Sequence, residues 1–125
     1  MLRAVAGVLK SGGRHIFYVI DLKAGITDQE RTRAIRDGND YVDAGSGYEV
    51  LMDKAGFVDI DLVDMSENYL TTLEGWVQTW KDDSASLIEL FGADEYNDRM
   101  RKRQVDITAV REGLLKRHLV SGTKP

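Results

Sequence analysis

Apolar residues recur along the chain in two periods, and each change of period marks an element. Leu2, Val5, Ala6 and Leu9 stand at helical spacing and predict a short helix, which Gly12-Gly13 closes with a turn. Arg14 to Ile20 follows, and its Ile-Phe-Tyr-Val-Ile run is apolar on both faces. Such a strand belongs in the middle of a sheet covered on both sides. Three helix starts then show a hydroxyl followed three residues later by a carboxylate: Thr27 with Glu30, Ser46 with Glu49, and Thr71 with Glu74. Each fits a capping box. The first opens a polar helix closed near Gly38, and the second opens a stripe of Tyr48, Leu51, Met52 and Ala55 that ends at Gly56.

Phe57 to Met65 alternates, with Val58, Ile60 and Leu62 on one face and Asp59 and Asp61 on the other. Outward carboxylates suit an edge strand, because they discourage pairing with other chains. The third box is expected to open the longest stripe, Leu73, Trp76, Val77, Trp80, Ser84, Leu87, Ile88 and Phe91, which Asp82-Asp83 could divide. Beyond Gly92, Asp94 is the expected cap of a helix carrying Tyr96, Met100, Ile107, Val110 and Leu114, and Leu115 to Thr123 reads as a last strand. Strands alternating with helices in this way indicate an α/β layered fold.

The 125 residues suit one domain. The absence of cysteine excludes disulfides, thiol catalysis and thiolate metal sites. The longest apolar run, Ile16 to Ile20, is too short to span a membrane, and no signal peptide is evident, so no membrane partner and a cytoplasmic setting are expected. The net charge of −4 argues against nucleic acid, but it is unevenly spread. Arg99, Arg101, Lys102 and Arg103 form a basic run that is either a solvated helix face or a patch for phosphate or an acidic partner. No aromatics interleave with it for base stacking. Neither histidine shares ligand spacing with another ligating residue, which gives no support for a metal site, and no nucleophile elbow surrounds any serine.

Val8-Leu9-Lys10-Ser11-Gly12-Gly13-Arg14, Tyr48-Glu49-Val50-Leu51-Met52-Asp53-Lys54-Ala55-Gly56-Phe57 and the closing strand that ends in Lys124-Pro125 occur in that order. In sequence and order they resemble the C-terminal half of a class I S-adenosylmethionine-dependent methyltransferase. The resemblance implies a partial Rossmann-like sheet made of the family's strands five, six and seven. The antiparallel seventh would lie between the other two, and a helical, lid-like insertion over residues 66–114 would precede it.

The family's cofactor half, with its Gly-x-Gly-x-Gly loop, has no counterpart in these residues; Gly45-Ser46-Gly47 is too short and follows no apolar strand. S-adenosylmethionine is therefore the cofactor of the parent family, and none is expected for this chain alone. The resemblance marks Tyr69, Thr72, Trp76 and Trp80 as lining a small-molecule pocket, with core packing as the alternative for the two tryptophans. Tyr18 and Asp21, near the end of the first strand, are further substrate-binding candidates. In the family's arrangement His15 and His118 would lie on neighbouring strands, where a general base is conceivable, but His15 starts its strand at the end opposite the expected pocket, which favours a structural or solvent-facing role.

The expected function is the C-terminal portion of a small-molecule methyltransferase that is inactive alone. The alternatives are a non-catalytic interaction module, which joins a separate N-terminal half or self-associates through an exposed sheet edge, and a truncated reading frame.

Overall fold

A computed structural model describes residues 1–39, 41 and 47–125. The elements are α1 (Leu2–Val8), β1 (Arg14–Leu22), α2 (Asp28–Asp37), α3 (Tyr48–Lys54), β2 (Val58–Asp64), α4 (Ser66–Asp82), α5 (Ser84–Phe91), α6 (Ala93–Arg111) and β3 (Leu115–Thr123). The last strand lies in the centre of the sheet, in the order β1-β3-β2, and is antiparallel to both neighbours. Strand ends are fastened across the sheet: the N–H of Gly12 donates to the carbonyl of Lys124, and the N–H of Lys124 donates to that of Gly13.

Each face of the sheet has its own core. On one, Leu2, Tyr48, Met52 and Phe57 from α1, α3 and the turn beyond pack on Val19 and Val120. On the other, Ala34, Leu73, Val77, Ile107 and Val110 from α2, α4 and α6 pack on Leu115, with Ile20 and Leu22 at the margin. The result is three layers, helices on either side of a sheet. Among the described residues no helix is long and apolar enough to cross a membrane.

The box at Thr27 forms in full. The Thr27 hydroxyl accepts the Glu30 N–H at 3.1 Å, the Glu30 carboxylate accepts the Thr27 N–H at 3.2 Å, and Lys23 lies 2.6 Å from the same carboxylate. These contacts hold the Glu30 carboxyl below its ordinary pKa, led by the Lys23 partner. Gly38 closes the helix in the left-handed region (φ 69°). Ser46 lies outside the described residues, and α3 begins after Gly47 without a side-chain cap.

Thr71 is not a cap. α4 begins at Ser66, whose N–H donates to the Asp64 carboxylate at 2.8 Å, so Thr71 and Glu74 fall inside a helix already under way. Asp94 likewise sits in the first turn of α6, after Gly92 as the cap. The division at Asp82-Asp83 is real, because α4 ends there and α5 starts at Ser84.

Two expectations about strand faces need correction. β1 is not covered throughout: Ile16 and Tyr18 are 57% and 53% exposed, because the helices on that face reach only Ile20 and Leu22. In β2, Ile60 and Leu62 pack inward as the alternation predicts, but Val58 is exposed. Asp59 adopts φ 49°, and the pairing with β3 shifts between Val58 and Asp61, so a bulge turns Val58 away.

Candidate functional site

Between the exposed face of β1 and α4 lies an open cavity of about 680 Å³. The pleat of β1 sends Tyr18 and Ile20 to this side. From α4 come Tyr69, Thr72, Leu73 and Trp76, at offsets of 0, 3, 4 and 7 residues, which is one helical face. Thr72 commits its hydroxyl proton to the Asn68 carbonyl at 3.0 Å, so toward the cavity it presents an acceptor.

Two arginines complete the wall. Arg117 of β3 lies 4.3 Å above the Tyr18 ring and 5.5 Å from that of Tyr69; Arg103 of α6 lies 4.9 Å above Trp76. Ser66 anchors this corner, since its hydroxyl accepts the Arg117 N–H at 3.1 Å and the Met65 N–H donates to the Arg117 carbonyl at 2.7 Å. Neighbouring Asp64 is held below its ordinary pKa, first by the Ser66 hydroxyl, then by the Ser66 N–H, Lys116 and His118, against a smaller opposing effect of burial.

Of the six candidate residues, the structure brings together Tyr18, Tyr69, Thr72 and Trp76. It leaves out two. Trp80 is one turn further along α4 and stacks between Phe91 (6.1 Å) and Tyr96 (6.3 Å), whose hydroxyl donates to the Trp80 carbonyl. The two tryptophans thus divide: Trp80 packs, whereas Trp76 is half exposed at the cavity.

Asp21 is three residues from Tyr18 and therefore projects from the other face of β1. There its carboxylate sits 2.9 Å from His118 Nδ1, and it adds to the burial that raises the Tyr48 hydroxyl above its ordinary pKa. His15 does not meet His118. Their partners across the β1–β3 ladder are Gly122 and Val19, which separates them by four residues, about 13 Å of strand. His15 stacks on Phe17 at 4.8 Å instead.

Sequence reasoning missed Tyr41, Arg103 and Arg117 as cavity residues. Arg103 belonged to a run read only as a unit, and Arg117 joins Tyr18 only once the ladder register is known. The basic run turns out to be spent largely on its own surroundings. Arg99 pairs with Glu95 at 2.8 Å and lies over Phe91, Arg101 pairs with Asp98 at 3.1 Å, and Arg103 faces Trp76.

Among the described residues there is no loop of the Gly-x-Gly-x-Gly kind. The turn after β1 holds a single glycine, Gly25, in the left-handed region (φ 69°). At the start of α2 the N–H groups of Thr27 and Glu30 are taken up by the capping box. Gly45 and Ser46 of the short Gly45-Ser46-Gly47 run lie outside the described residues. Among the described residues no group of three ligating side chains could hold a metal ion.

No family model and no curated protein sequence matches this chain. Solved structures do. Phosphoethanolamine N-methyltransferase 2 of Haemonchus contortus, in complex with phosphomonomethylethanolamine and S-adenosylhomocysteine, superposes with a TM-score of 0.82 at 14% identity, covering 99% of this chain and 29% of that one. A Galdieria sulphuraria protein assigned as a sarcosine dimethylglycine methyltransferase gives 0.82 at 17% identity, covering 98% and 46%. The cyclopropane synthase MmaA2 of Mycobacterium tuberculosis gives 0.76 at 15% identity, covering 98% and 48%.

The fold is therefore that of the C-terminal part of an S-adenosylmethionine-dependent methyltransferase domain. β1, β2 and β3 take the places of its fifth, sixth and seventh strands, and the chain spans about a third to a half of the proteins it matches.

Proposed function

We propose that this chain forms the acceptor-binding portion of a methyltransferase for a small organic molecule, with the cofactor held by residues outside it. The observation that carries this reading is the cavity. It is concave, lined mainly by aromatic and apolar side chains with a few polar groups, and of a size that suits a small ligand. It opens at β1, whose outer edge pairs with no other described strand and is where the neighbouring strand of a complete methyltransferase sheet would add. The neighbour bound to phosphomonomethylethanolamine supports a small acceptor. Methyl transfer rests chiefly on holding donor and acceptor in line, which calls on walls of this kind more than on reactive side chains. Residues 66–114 would serve as the lid over the acceptor.

Calorimetry with S-adenosylmethionine tests the division of labour. The purified chain is expected to show no saturable binding, and a preparation that also contains the segment encoded upstream is expected to bind and to transfer methyl groups. Micromolar binding by the monomeric chain alone, or a joined preparation that binds the cofactor and methylates no small molecule, would count against it.

A second reading has one observation in its favour. Ile16 is 57% exposed beside the open edge of β1, and edges of that kind invite association. On this reading the chain is a non-catalytic module that self-associates. Sedimentation at several concentrations separates the two, because a monomer throughout removes the second.

A further inference from the structure

The two arginines of the cavity differ from most others in the chain. Arg33, Arg36, Arg99, Arg101 and Arg111 each lie within ion-pair distance of a carboxylate. Arg103 and Arg117 have no carboxylate partner among the described residues, and both are half-buried. Partial burial of a charge without a counter-charge is unfavourable, and a stacked ring offsets it only in part. Stacking also occupies the face of a guanidinium and leaves its edge of N–H donors available, which is the edge that matches a carboxylate or phosphate. The described lining contains no aspartate or glutamate, so the described part of the wall is apolar and aromatic with two positive charges.

From this we infer that the acceptor carries an anionic group, a carboxylate or a phosphate, bound by Arg103 and Arg117, with its organic part against Tyr18, Tyr69 and Trp76. This rests on reading the cavity as the acceptor site and names the substrate class that site takes. Arg103 comes from α6 and Arg117 from β3, so the acceptor's charged end also bridges the helical layer and the sheet.

The test uses the full chain with Trp80→Phe, which leaves Trp76 as the single tryptophan reporter inside the cavity. Benzoate and phenyl phosphate are titrated at low salt against benzamide and benzylamine, which present a similar ring without negative charge, and Trp76 fluorescence is followed. At least one anion is expected to saturate about 10-fold or more tighter than benzamide, with benzylamine weakest, and the better of the two anions tells carboxylate from phosphate.

Arg103→Gln and Arg117→Gln should each weaken that anion about 10-fold, and the lysine replacements should restore part of it, because charge returns without the planar fork. Lys102→Gln, an exposed change on the same helix, should leave binding unaltered. Circular dichroism checks that each variant is folded. Equal affinity for benzamide, no saturation by either anion, or a loss in Lys102→Gln as large as in the cavity variants overturns the inference. No methyl donor is present in this titration. Its failure therefore leaves methyl transfer to be decided by its own assay, and an absence of methyl transfer leaves anion selectivity standing.

Discussion

Gly122 gives the sharpest stability prediction, because its neighbours define the cost of one added carbon. It lies in the central strand, opposite His15, and a Cβ there would stand 2.6 Å from Met52 Cε, 3.1 Å from Phe57 Cβ and 3.4 Å from Phe57 Cδ1. The first distance is shorter than real contacts allow. Met52 has no exposed surface and Phe57 only 2%, so neither can swing into water; the Met52 end must shift inside a packed core. Overpacking of this kind costs about 1–3 kcal/mol, whereas replacing glycine by alanine returns about 0.5–1 kcal/mol through the unfolded chain. With both neighbours buried, the overpacking cost falls in the upper part of its range, about 2–3 kcal/mol, and the expected net loss for Gly122→Ala is about 1–2 kcal/mol. With unfolding entropy of roughly 2.1 cal/mol/K per residue, that is a fall in Tm of about 4–8 °C for a domain this size.

A second background isolates the cause. Met52→Leu withdraws the terminal carbon and by itself should cost under about 1.5 kcal/mol. Within it, Gly122→Ala should come within about 0.5 kcal/mol of neutral, a coupling of about 1 kcal/mol between the two sites. Urea unfolding followed by circular dichroism gives all four corners of the cycle. A neutral or stabilising Gly122→Ala, or the same loss in both backgrounds, would refute the packing argument.

Two further outcomes follow from the element starts. Thr27→Ala removes the hydroxyl that accepts the Glu30 N–H and should cost about 1 kcal/mol in urea, with Thr27→Ser close to the parent; an unchanged midpoint would mean the box contributes nothing. The Asp64 carboxyl is depressed when folded, so it favours the fold above its unfolded pKa near 3.8, and that contribution disappears as pH falls through the lower folded value. Urea midpoints followed from about pH 6 to pH 2 should therefore drop further for the parent than for Asp64→Asn, and parallel curves would remove Asp64 from the acid response.

The order of elements was legible because each relies on a local signal: a period, a capping box or a terminating glycine. Thr27, Gly38 and the Asp82-Asp83 break are cases where that signal was sufficient. Thr71 misled because a hydroxyl three residues before a glutamate has the same spelling inside a helix as at its start, and the carboxylate that receives the first N–H of α4 belongs to Asp64, in the preceding strand. The cavity was half legible. Tyr69, Thr72 and Trp76 share a helical face that the sequence displays, but Trp80, equally plausible by spacing, finds Phe91 and Tyr96 through the way α5 and α6 fold back on α4, which no pattern fixes. Asp21 was separable from Tyr18 by the pleat alone. Arg117 was not, since its approach to Tyr18 depends on Tyr18 lying opposite Leu119.

The placement of β3 explains how a sheet of three strands can hold together without a further strand. A chain cut from an all-parallel sheet would present strands that each need partners from elsewhere. Here the last strand returns antiparallel between the other two, and both helical layers pack against it, at Val120 near its middle on one side and at Leu115, its first residue, on the other. The described cavity walls are accordingly assembled from β1, β3, α4 and α6, with Tyr41 added from between α2 and α3. On the proposed reading, recognition of the acceptor is measured on this chain as it stands, apart from any assay of the methyl donor.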